Sequence, residues 1–279
     1  MKNLPNPTGL AAMTAVLALL LAAPGCQTGQ EPITGRPQFI LISAQEETAI
    51  GLRAWEQIIE EKEASENQTH IEAVERVGGR LAAAVDPDYP GFDWEFRVFA
   101  SEQVNAFCLP GGKIGVYDGI FEFFDNDAEL AAVLGHEIAH AVARHGAERM
   151  TQAMLFNLGA LGVAMATQSQ EQQTQERWLL AYVGLGTLGY ILPYSRRHEF
   201  AADHMGMIFM ARAGYDPRAA MTFWSKFAGD TSGLGKALQF ISTHPVGEAR
   251  IERLRENLPE AIREYEAATQ NHGLGRIYH

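Results

Sequence analysis

Cysteines, basic residues and long apolar runs are all scarce in this sequence of 279 residues. If Cys26 is acylated, the only other cysteine, Cys108, has no disulfide partner within the chain. The net charge of −12 argues against nucleic acid as a partner. The apolar stretches 10–23, 153–166 and 178–192 are each shorter than the roughly 20 residues of a membrane-spanning helix. The hydrophobic content of 47% suffices for one good core, and nothing indicates a second large domain.

The Ala-rich stretch 127–150 contains the run His136-Glu137-Ile138-Ala139-His140, whose spacing zinc hydrolases use. Residues four apart lie about 40° apart around a helix, so both imidazoles can face one ion with Glu137 to the side. Asn126 and Glu129 resemble a capping box, and no proline interrupts the following turns. An accidental match with exposed histidines is the alternative, but idle charge is costly in so apolar a helix. The sequence therefore predicts a helix that carries a metal site.

A catalytic zinc ion usually has three protein ligands, so the motif needs one more. The candidates are His145, His204 and Glu199. An extended metzincin motif would require glycine and histidine where this chain has Ala143 and Gly146. Extrapolated along the helix, His145 points about 140° away from the second motif histidine, which predicts a surface position. Glu199 is the favoured third ligand.

Glu199 falls on a second predicted helix, which runs from Ser195 as N-cap to Ala213. Asp203 lies four residues further along the same face. One carboxylate can therefore bind the metal while the other accepts the free N–H of a ligating imidazole. Alternatively, the two carboxylates form surface ion pairs with nearby arginines, namely Arg144, Arg196 or Arg197.

The combined pattern resembles a known family of metallopeptidases. His136-Glu137-x-x-His140 followed by Tyr194-Ser195-Arg196-x-x-Glu199-x-x-x-Asp203 resembles the gluzincin peptidases that include HtpX, the mitochondrial Oma protease and the CAAX prenyl endopeptidase. By the segments 32–36, 105–112 and 243–245, the chain resembles most closely the periplasmic lipoprotein members of this family, such as LoiP and the peptidase domain of BepA. The resemblance implies a mainly helical α+β, zincin-like metallopeptidase domain with a small sheet beside the active-site helix.

The same resemblance implies the chemistry of the site. His136, His140 and Glu199 would bind one Zn²⁺ per chain, with Asp203 behind a histidine ligand, and Glu137 would remove a proton from the attacking water. His244, with Arg250 behind it, has three interpretations: a donor to the transition state, a cover of the metal in a resting state, or a plain loop histidine.

A small sheet is predicted near the site. Apolar and polar residues alternate over 93–100, which predicts a strand. Residues 113–117 are predicted to be its hairpin partner, with a turn at 110–112. The resemblance implies that Asn105, Ala106 and Phe107 lead into an edge strand that binds the extended backbone of a substrate. Cys108 is predicted to be a small buried hydrophobe. The alternatives are a thiolate near the zinc or substrate, or an intermolecular disulfide.

Other elements follow from periodicity. We expect a strand within 37–43, a helix over 44–63 and another over 70–85. The helix over 44–63 should direct a set of apolar side chains inward, namely Ile50, Leu52, Trp55 and Ile58. The apolar stretches 153–166 and 178–192 favour a buried helical hairpin over a membrane crossing.

The N-terminus resembles a bacterial lipoprotein signal, with Lys2, an apolar stretch and then Ala23-Pro24-Gly25-Cys26. Cys26 is the predicted lipidated first residue, and the resemblance to such lipoproteins implies the outer membrane, because Gln27 and not Asp follows the cysteine. A signal removed without lipidation and an uncleaved anchor are the alternatives. We therefore expect a signal peptide over 1–26, a zinc metallopeptidase domain over 27–265 and a C-terminal tail over 266–279.

Two functions follow. The first is a zinc-dependent endopeptidase of the bacterial cell envelope that cleaves unfolded or misassembled proteins in the periplasm, anchored to the outer membrane by lipid on Cys26. The second is an outer-membrane-associated chaperone or assembly lipoprotein whose metal site is latent or structural.

Overall fold

The computed structural model describes residues 27–85, 87–89, 91–187, 192–229, 240–245 and 247–278. The predicted signal peptide and Cys26 lie outside these residues. The chain divides into two compact units. Unit 1 includes Gln27–Gln30, Arg36–Ser43 and Gly146–Arg197, and unit 2 comprises Glu31–Gly35, Ala44–His145 and His198–His279.

In chain order the elements are β1 (Gln27–Gln30), β2 (Pro37–Ile40), α1 (Ala44–Glu61), α2 (Gln68–Val85), β3 (Glu95–Phe99), β4 (Ala106–Leu109), β5 (Lys113–Tyr117), a 3-10 helix (Asp118–Phe123), α3 (Asp127–Val142), α4 (His145–Ala166), α5 (Gln172–Gly186), α6 (Leu192–Arg212), α7 (Arg218–Gly229) and α8 (Glu248–Ala267). The mainly helical α+β class with a small sheet is confirmed.

The sheet of unit 2 has the order β3-β5-β4. β5 pairs in parallel with β3 and antiparallel with β4. The prediction that 93–100 is the hairpin partner of β5 is therefore wrong. The turn at 110–112, in which Gly111 and Gly112 have positive φ, joins β5 to the strand that directly precedes it. Between β3 and β5 the chain runs through the loop 100–105, the whole of β4 and the turn 110–112, so it can return to β5 in the direction of β3 and pair with it in parallel.

Helix α1 lies close to the turn after β4. A Cβ on Gly51 would come within 2.1 Å of the carbonyl oxygen of Pro110, so glycine permits this approach. One turn later, Trp55 is buried as predicted and its ring contacts Phe99 and Phe107 edge-on. The prediction that Leu52 points inward is wrong, because the Gly51–Trp55 face is the buried one and Leu52 is 38% exposed.

Helix α3 is buried over its whole length. Asn126 caps it, as predicted, by accepting a hydrogen bond of 3.1 Å from the backbone N–H of Glu129. The carbonyls of Leu274 and Arg276 accept hydrogen bonds from the first two backbone N–H groups of the helix, at 3.1 and 2.9 Å. The C-terminal segment thus supplies partners that a helix N-terminus lacks within itself.

Helix α6 crosses α3 at two glycines. A Cβ on Gly135 would lie 2.8 Å from the carbonyl oxygen of Gly206, so neither position has room for a larger residue. The prediction that α6 begins at Ser195 is wrong, because the helix starts at Leu192. Pro193 then falls in the first turn, where a missing backbone N–H is tolerated.

Unit 1 contains the antiparallel pair β1–β2 and the helical hairpin α4–α5. Within the hairpin, Phe156 and Tyr182 stack at a ring distance of 5.0 Å. The hairpin was predicted, but its predicted burial is wrong. Large apolar side chains face solvent on both helices: Met154, Leu161, Met165, Trp178 and Leu180. No helix in the described ranges is long and apolar enough to cross a membrane.

Candidate metal centre

Four buried side chains in unit 2 direct one potential ligand atom each to a common point, with all four atoms within 4.8 Å of one another. Helix α3 supplies His136 and His140, and α6 supplies Glu199. The segment before α8 supplies His244. The structure therefore brings together both histidines of the motif and the favoured third ligand.

The distances within this cluster are short. The Nε2 atoms of His136 and His140 lie 3.1 Å apart, and each is 3.3 Å from a carboxylate oxygen of Glu199. Nδ1 of His244 is 3.0 Å from Glu199 Oε2 and 3.1 Å from His136 Nε2. Such a donor set, with three imidazoles and one carboxylate, is typical of zinc.

The groups behind His136 orient it as a ligand. Its Nδ1 lies 3.0 Å from Asp203 Oδ1, so Nδ1 keeps a proton toward that carboxylate and Nε2 is the nitrogen that can offer a lone pair to a cation at the centre. Arg250 donates two hydrogen bonds of 2.7 Å to the same carboxylate. The guanidinium carbon of Arg250 is also 3.4 Å from the ring centroid of Trp224.

Arg250 was predicted only as a residue behind His244, and its pairing with Asp203 was missed. On α8, Arg250 belongs to a buried set with Leu254 and Ala261. A basic residue in the apolar stripe of an otherwise polar helix was the available signal, because a buried charge needs a partner.

The charge state of the cluster suits a cation. Burial raises the pKa of Glu199, but the nearby histidines outweigh burial and hold that pKa well below its usual range. Burial lowers the pKa of His140 well below its usual range, although Glu199 opposes this. For His136, burial lowers the pKa, but Asp203 and Glu199 outweigh it and raise the pKa to about 9. A cation bound here therefore displaces a proton from His136.

Glu137 is buried beside the donors. Its Oε1 lies 3.3 Å from His244 Nε2, and within the part of the chain that the structure describes no group donates a hydrogen bond to this oxygen. An unsatisfied carboxylate oxygen next to the cluster is suitably placed to take a proton from a water molecule.

Cys108 lies on the edge strand β4. Burial and the charge of Glu137 both raise the pKa of its thiol well above the ordinary value, and the thiol donates to the carbonyl of Leu109 at 3.6 Å. Cys108 is only half-buried, but it packs against the core, so these facts favour the predicted small hydrophobe over the thiolate alternative.

The remaining predicted positions lie around the centre. Ala106 and Phe107 are on β4, directly after Asn105, and β4 is an edge strand as predicted. Their role in substrate binding stays a prediction. His204, the rejected third ligand, instead contacts Glu260 at 2.8 Å. The burial of His244 within the cluster does not fit a plain loop histidine, and the choice between donor and cover stays open.

The prediction that His145 lies on the surface is wrong, because it is fully buried. Helix α3 ends at Val142, and Arg144 has a φ of 54°. The backbone therefore turns before His145, and extrapolating 100° per residue gives the wrong direction. Nδ1 of His145 lies 2.9 Å from Nδ1 of His140.

Comparison with known proteins gives consistent matches. Residues 68–258 match the sequence model of peptidase family M48. The mitochondrial metalloendopeptidase OMA1 of Schizosaccharomyces pombe is 41% identical over 60% of this chain and 48% of its own. OMA1 of Saccharomyces cerevisiae is 30% identical over 88% of this chain and 73% of its own. The beta-barrel assembly-enhancing protease of Escherichia coli is 29% identical over 57% of this chain and 33% of its own.

The aligned regions span about half or less of the fission-yeast and Escherichia coli relatives. Identity to OMA1 of Schizosaccharomyces pombe, at 41%, is higher than identity to the assembly-enhancing protease of Escherichia coli, at 29%. The expected greater similarity to periplasmic lipoprotein members is therefore not supported.

Proposed function

Because this chain belongs to peptidase family M48 and keeps a metalloendopeptidase site intact in unit 2, we propose that it cleaves unfolded or misassembled proteins of the bacterial cell envelope. The observation that carries the proposal is the convergence of His136, His140 and Glu199 beside the unsatisfied Oε1 of Glu137. A structural metal site would not need a buried carboxylate without a hydrogen-bond donor.

His136, His140 and Glu199 would hold the zinc ion, which when bound lowers the pKa of water and polarises a peptide carbonyl. Asp203 keeps the proton of His136 on Nδ1, and Arg250 holds Asp203 in place. Glu137 takes a proton from the attacking water and returns it to the leaving amine. His244 Nε2, 3.3 Å from Glu137, serves as a donor to the transition state or covers the site at rest.

The edge strand β4 supports a substrate without defined structure. A strand at a sheet edge has unpaired backbone groups that can pair with an extended chain, and such pairing selects little by side chain. Strand β4, which includes Cys108, packs against helix α3, which includes Glu137, so the strand lies beside the site. An unfolded polypeptide satisfies this binding mode, whereas a folded protein does not.

The envelope location rests on the sequence around Cys26, for which we propose lipidation and anchoring to the outer membrane. The Escherichia coli relative is named a beta-barrel assembly-enhancing protease, which supports envelope substrates. Mass spectrometry of the mature N-terminus, with Cys26→Ser as comparison, tests this. A wild-type mature chain without acyl groups would contradict it.

The second candidate, a chaperone or assembly lipoprotein, is favoured by the exposed apolar side chains of the hairpin α4–α5. Trp178 and Leu180 are 59% and 72% exposed. Such a surface in unit 1 could hold unfolded clients, and both activities could reside in one chain.

Glu137→Gln in the full chain separates the two functions. We expect cleavage of casein to fall by about 10²–10⁴-fold, because a general base is lost, with zinc content unchanged. Glu75→Gln on the exposed face of α2 is the matched control and should cleave normally. Suppression of client aggregation by Glu137→Gln would support the second candidate. Cleavage by this variant at the wild-type rate would refute the proposed mechanism.

A further inference from the structure

The two histidine ligands of α3 are supported differently. Both direct Nε2 toward Glu199, at 3.3 Å in each case. Behind His136, Nδ1 meets the carboxylate of Asp203 directly at 3.0 Å. Behind His140, Nδ1 meets another imidazole, that of His145, at 2.9 Å. The other nitrogen of the His145 ring, Nε2, contacts a carboxylate, with 2.6 Å between it and Glu31 Oε1.

We propose that Glu31 and His145 are a positioning pair for His140, in which His145 accepts the N–H of His140 and Glu31 accepts the N–H of His145. The inference rests on the metal site of the proposed function and extends it to two residues outside the motif. It gives both histidine ligands a carboxylate behind them, one direct and one through a ring.

The proton positions in this chain of contacts are determined by chemistry. If His140 offers the lone pair of Nε2 to a metal, its proton must be on Nδ1. Nδ1 of His145 then has to accept, which leaves the His145 proton on Nε2. That proton points at Glu31, the one group of the three that accepts without donating. Donation from His140 to His145 and from His145 to Glu31 is therefore the only order in which each N–H faces an acceptor.

The surroundings hold the pair rigidly. His145 is fully buried, and its ring stacks on that of His198 at 4.2 Å. Glu31 is also buried, and the hydroxyl of Thr34 donates to its Oε2. The backbone N–H of Gly35 donates to the Glu31 carbonyl at 3.0 Å, closing a tight turn. Burial matters because a buried polar group that loses its partner is costly.

This role also explains the segment 32–36, which carries part of the family resemblance but has no predicted function in the site. In the turn it forms, Ile33 and Gly35 have positive φ values of 62° and 67°. The segment Glu31–Gly35 belongs to unit 2, the unit that contains the site. Its function is then to deliver Glu31 to the ring of His145.

The test measures zinc affinity of the full chain by competition with a chromophoric chelator, together with the visible absorption spectrum of the cobalt-substituted protein. His145→Ala should lower zinc affinity by about 10–100-fold, the usual effect of removing a group behind a metal ligand. His145→Asn places an amide oxygen near the position of Nδ1 and should recover most of the affinity. Glu31→Gln keeps an acceptor oxygen and should lose less affinity than Glu31→Ala.

Glu260→Gln is the matched control, because it makes the same carboxylate-to-amide change in a histidine–glutamate pair outside the site, with His204 at 2.8 Å. It should leave affinity and the cobalt spectrum unchanged. Circular dichroism of each variant separates misfolding from ligand disorder, and wild-type affinity in Glu31→Ala alone overturns the proposal if His145→Ala does not fold.

Wild-type affinity and spectrum in both His145→Ala and Glu31→Ala would overturn the proposal. Equal losses in His145→Ala and His145→Asn would also overturn it, because packing against His198 would then be the only role. A wild-type protein that binds zinc but cleaves no protein would contradict the proposed function alone, since these measurements do not depend on proteolysis.

Discussion

Helix α3 and the hairpin α4–α5 are both apolar and rich in alanine and leucine, but their surroundings differ. Every residue of α3 is buried, whereas α4 and α5 expose large side chains such as Leu161 and Leu180. Helix α3 meets α6 at Gly206, contacts Trp224 through the ring of His136, and receives hydrogen bonds at its N-terminus from the C-terminal segment. Within the hairpin, the rings of Phe156 and Tyr182 stack on each other, and the Tyr182 hydroxyl donates to the Phe156 carbonyl.

The difference shows that burial depends on partners from distant parts of the chain, and not on composition. Only where such partners surround a helix can charged groups be kept dry and in fixed positions, as a metal site requires. Substitutions in and around α3 should therefore have large effects, and matched substitutions in the hairpin small ones.

The largest effect is expected for Glu199→Ala, which removes the one ligand of the favoured set that α3 does not supply. Zinc retained after gel filtration should fall from about one equivalent to almost none, and cleavage of casein should disappear, because the cluster loses its only negatively charged donor, which lies 3.3 Å from both ligand nitrogens of α3. Glu260→Gln serves as control and should keep both. Equal zinc in the variant and the wild type would remove Glu199 from the ligand set.

Leu130→Ala and Leu180→Ala make the same change in the two regions. Leu130 in α3 has no exposed surface, so its truncation should lower the free energy of unfolding by about 2–5 kcal/mol. Leu180 in α5 is 72% exposed, and its truncation should change that free energy by less than about 0.5 kcal/mol. Urea unfolding measures both. Similar losses at the two positions would mean that the hairpin face is covered in solution.

Asp127→Asn, in the first turn of α3, should lower the free energy of unfolding of the protein by about 1.5–3 kcal/mol, the range for hydrogen bonds to a charged group. Arg76 donates to its carboxylate at 2.7 and 3.1 Å, and the hydroxyl of Tyr278 donates at 2.7 Å. Asp93→Asn is the control, because that carboxylate is 93% exposed and its pairing with Lys113 should contribute little.

The effect of Asp127→Asn should depend on pH. Burial raises the pKa of Asp127, but the hydrogen bonds from Arg76 and Tyr278 outweigh burial and lower it below the ordinary value of 3.8. The stabilisation is therefore complete above pH 3.8 and is lost as the pH falls through the lower, folded-state pKa. Urea midpoints of wild type and variant should converge in acid, and a constant difference would argue against the ion pair.

The metal site was predictable because its signals are local. The spacing of His136 and His140 gives their shared face directly, and Glu199 and Asp203 repeat the same spacing on α6. The capping role of Asn126 followed from one residue and its neighbour at position 129. Each of these inferences needs only the geometry of a single helix.

The predictions that were wrong or incomplete concern features that depend on distant parts of the chain. The direction of His145 depends on the left-handed backbone at Arg144, which nothing in the helix pattern signals. The pairing of β3 with β5 depends on a loop conformation, and the exposure of the hairpin depends on which elements cover it. Arg250 reaches Asp203 from α8, a helix that begins at residue 248, 45 positions after residue 203 in the sequence.

Gly135→Ala and Gly184→Ala give the finest comparison, because both put one methyl group into the interior of a helix. Alanine is the better helix former by roughly 1 kcal/mol, so without tertiary contacts both variants should gain stability. At Gly184 in α5 the added Cβ meets nothing within 4 Å, so that gain should be observed. At Gly135 the Cβ would lie 2.8 Å from the backbone carbonyl of Gly206, which cannot rotate away.

The helices α3 and α6 must then separate at Gly135→Ala, and the cost of about 1–3 kcal/mol for overpacking should exceed the gain in helix propensity. Because His136 is the next residue and Glu199 lies on the displaced helix, zinc affinity should fall together with stability. Urea unfolding and chelator competition on both variants measure this. If Gly135→Ala were as stable as Gly184→Ala and bound zinc normally, the close crossing of α3 and α6 would not be what sets the spacing of the ligands.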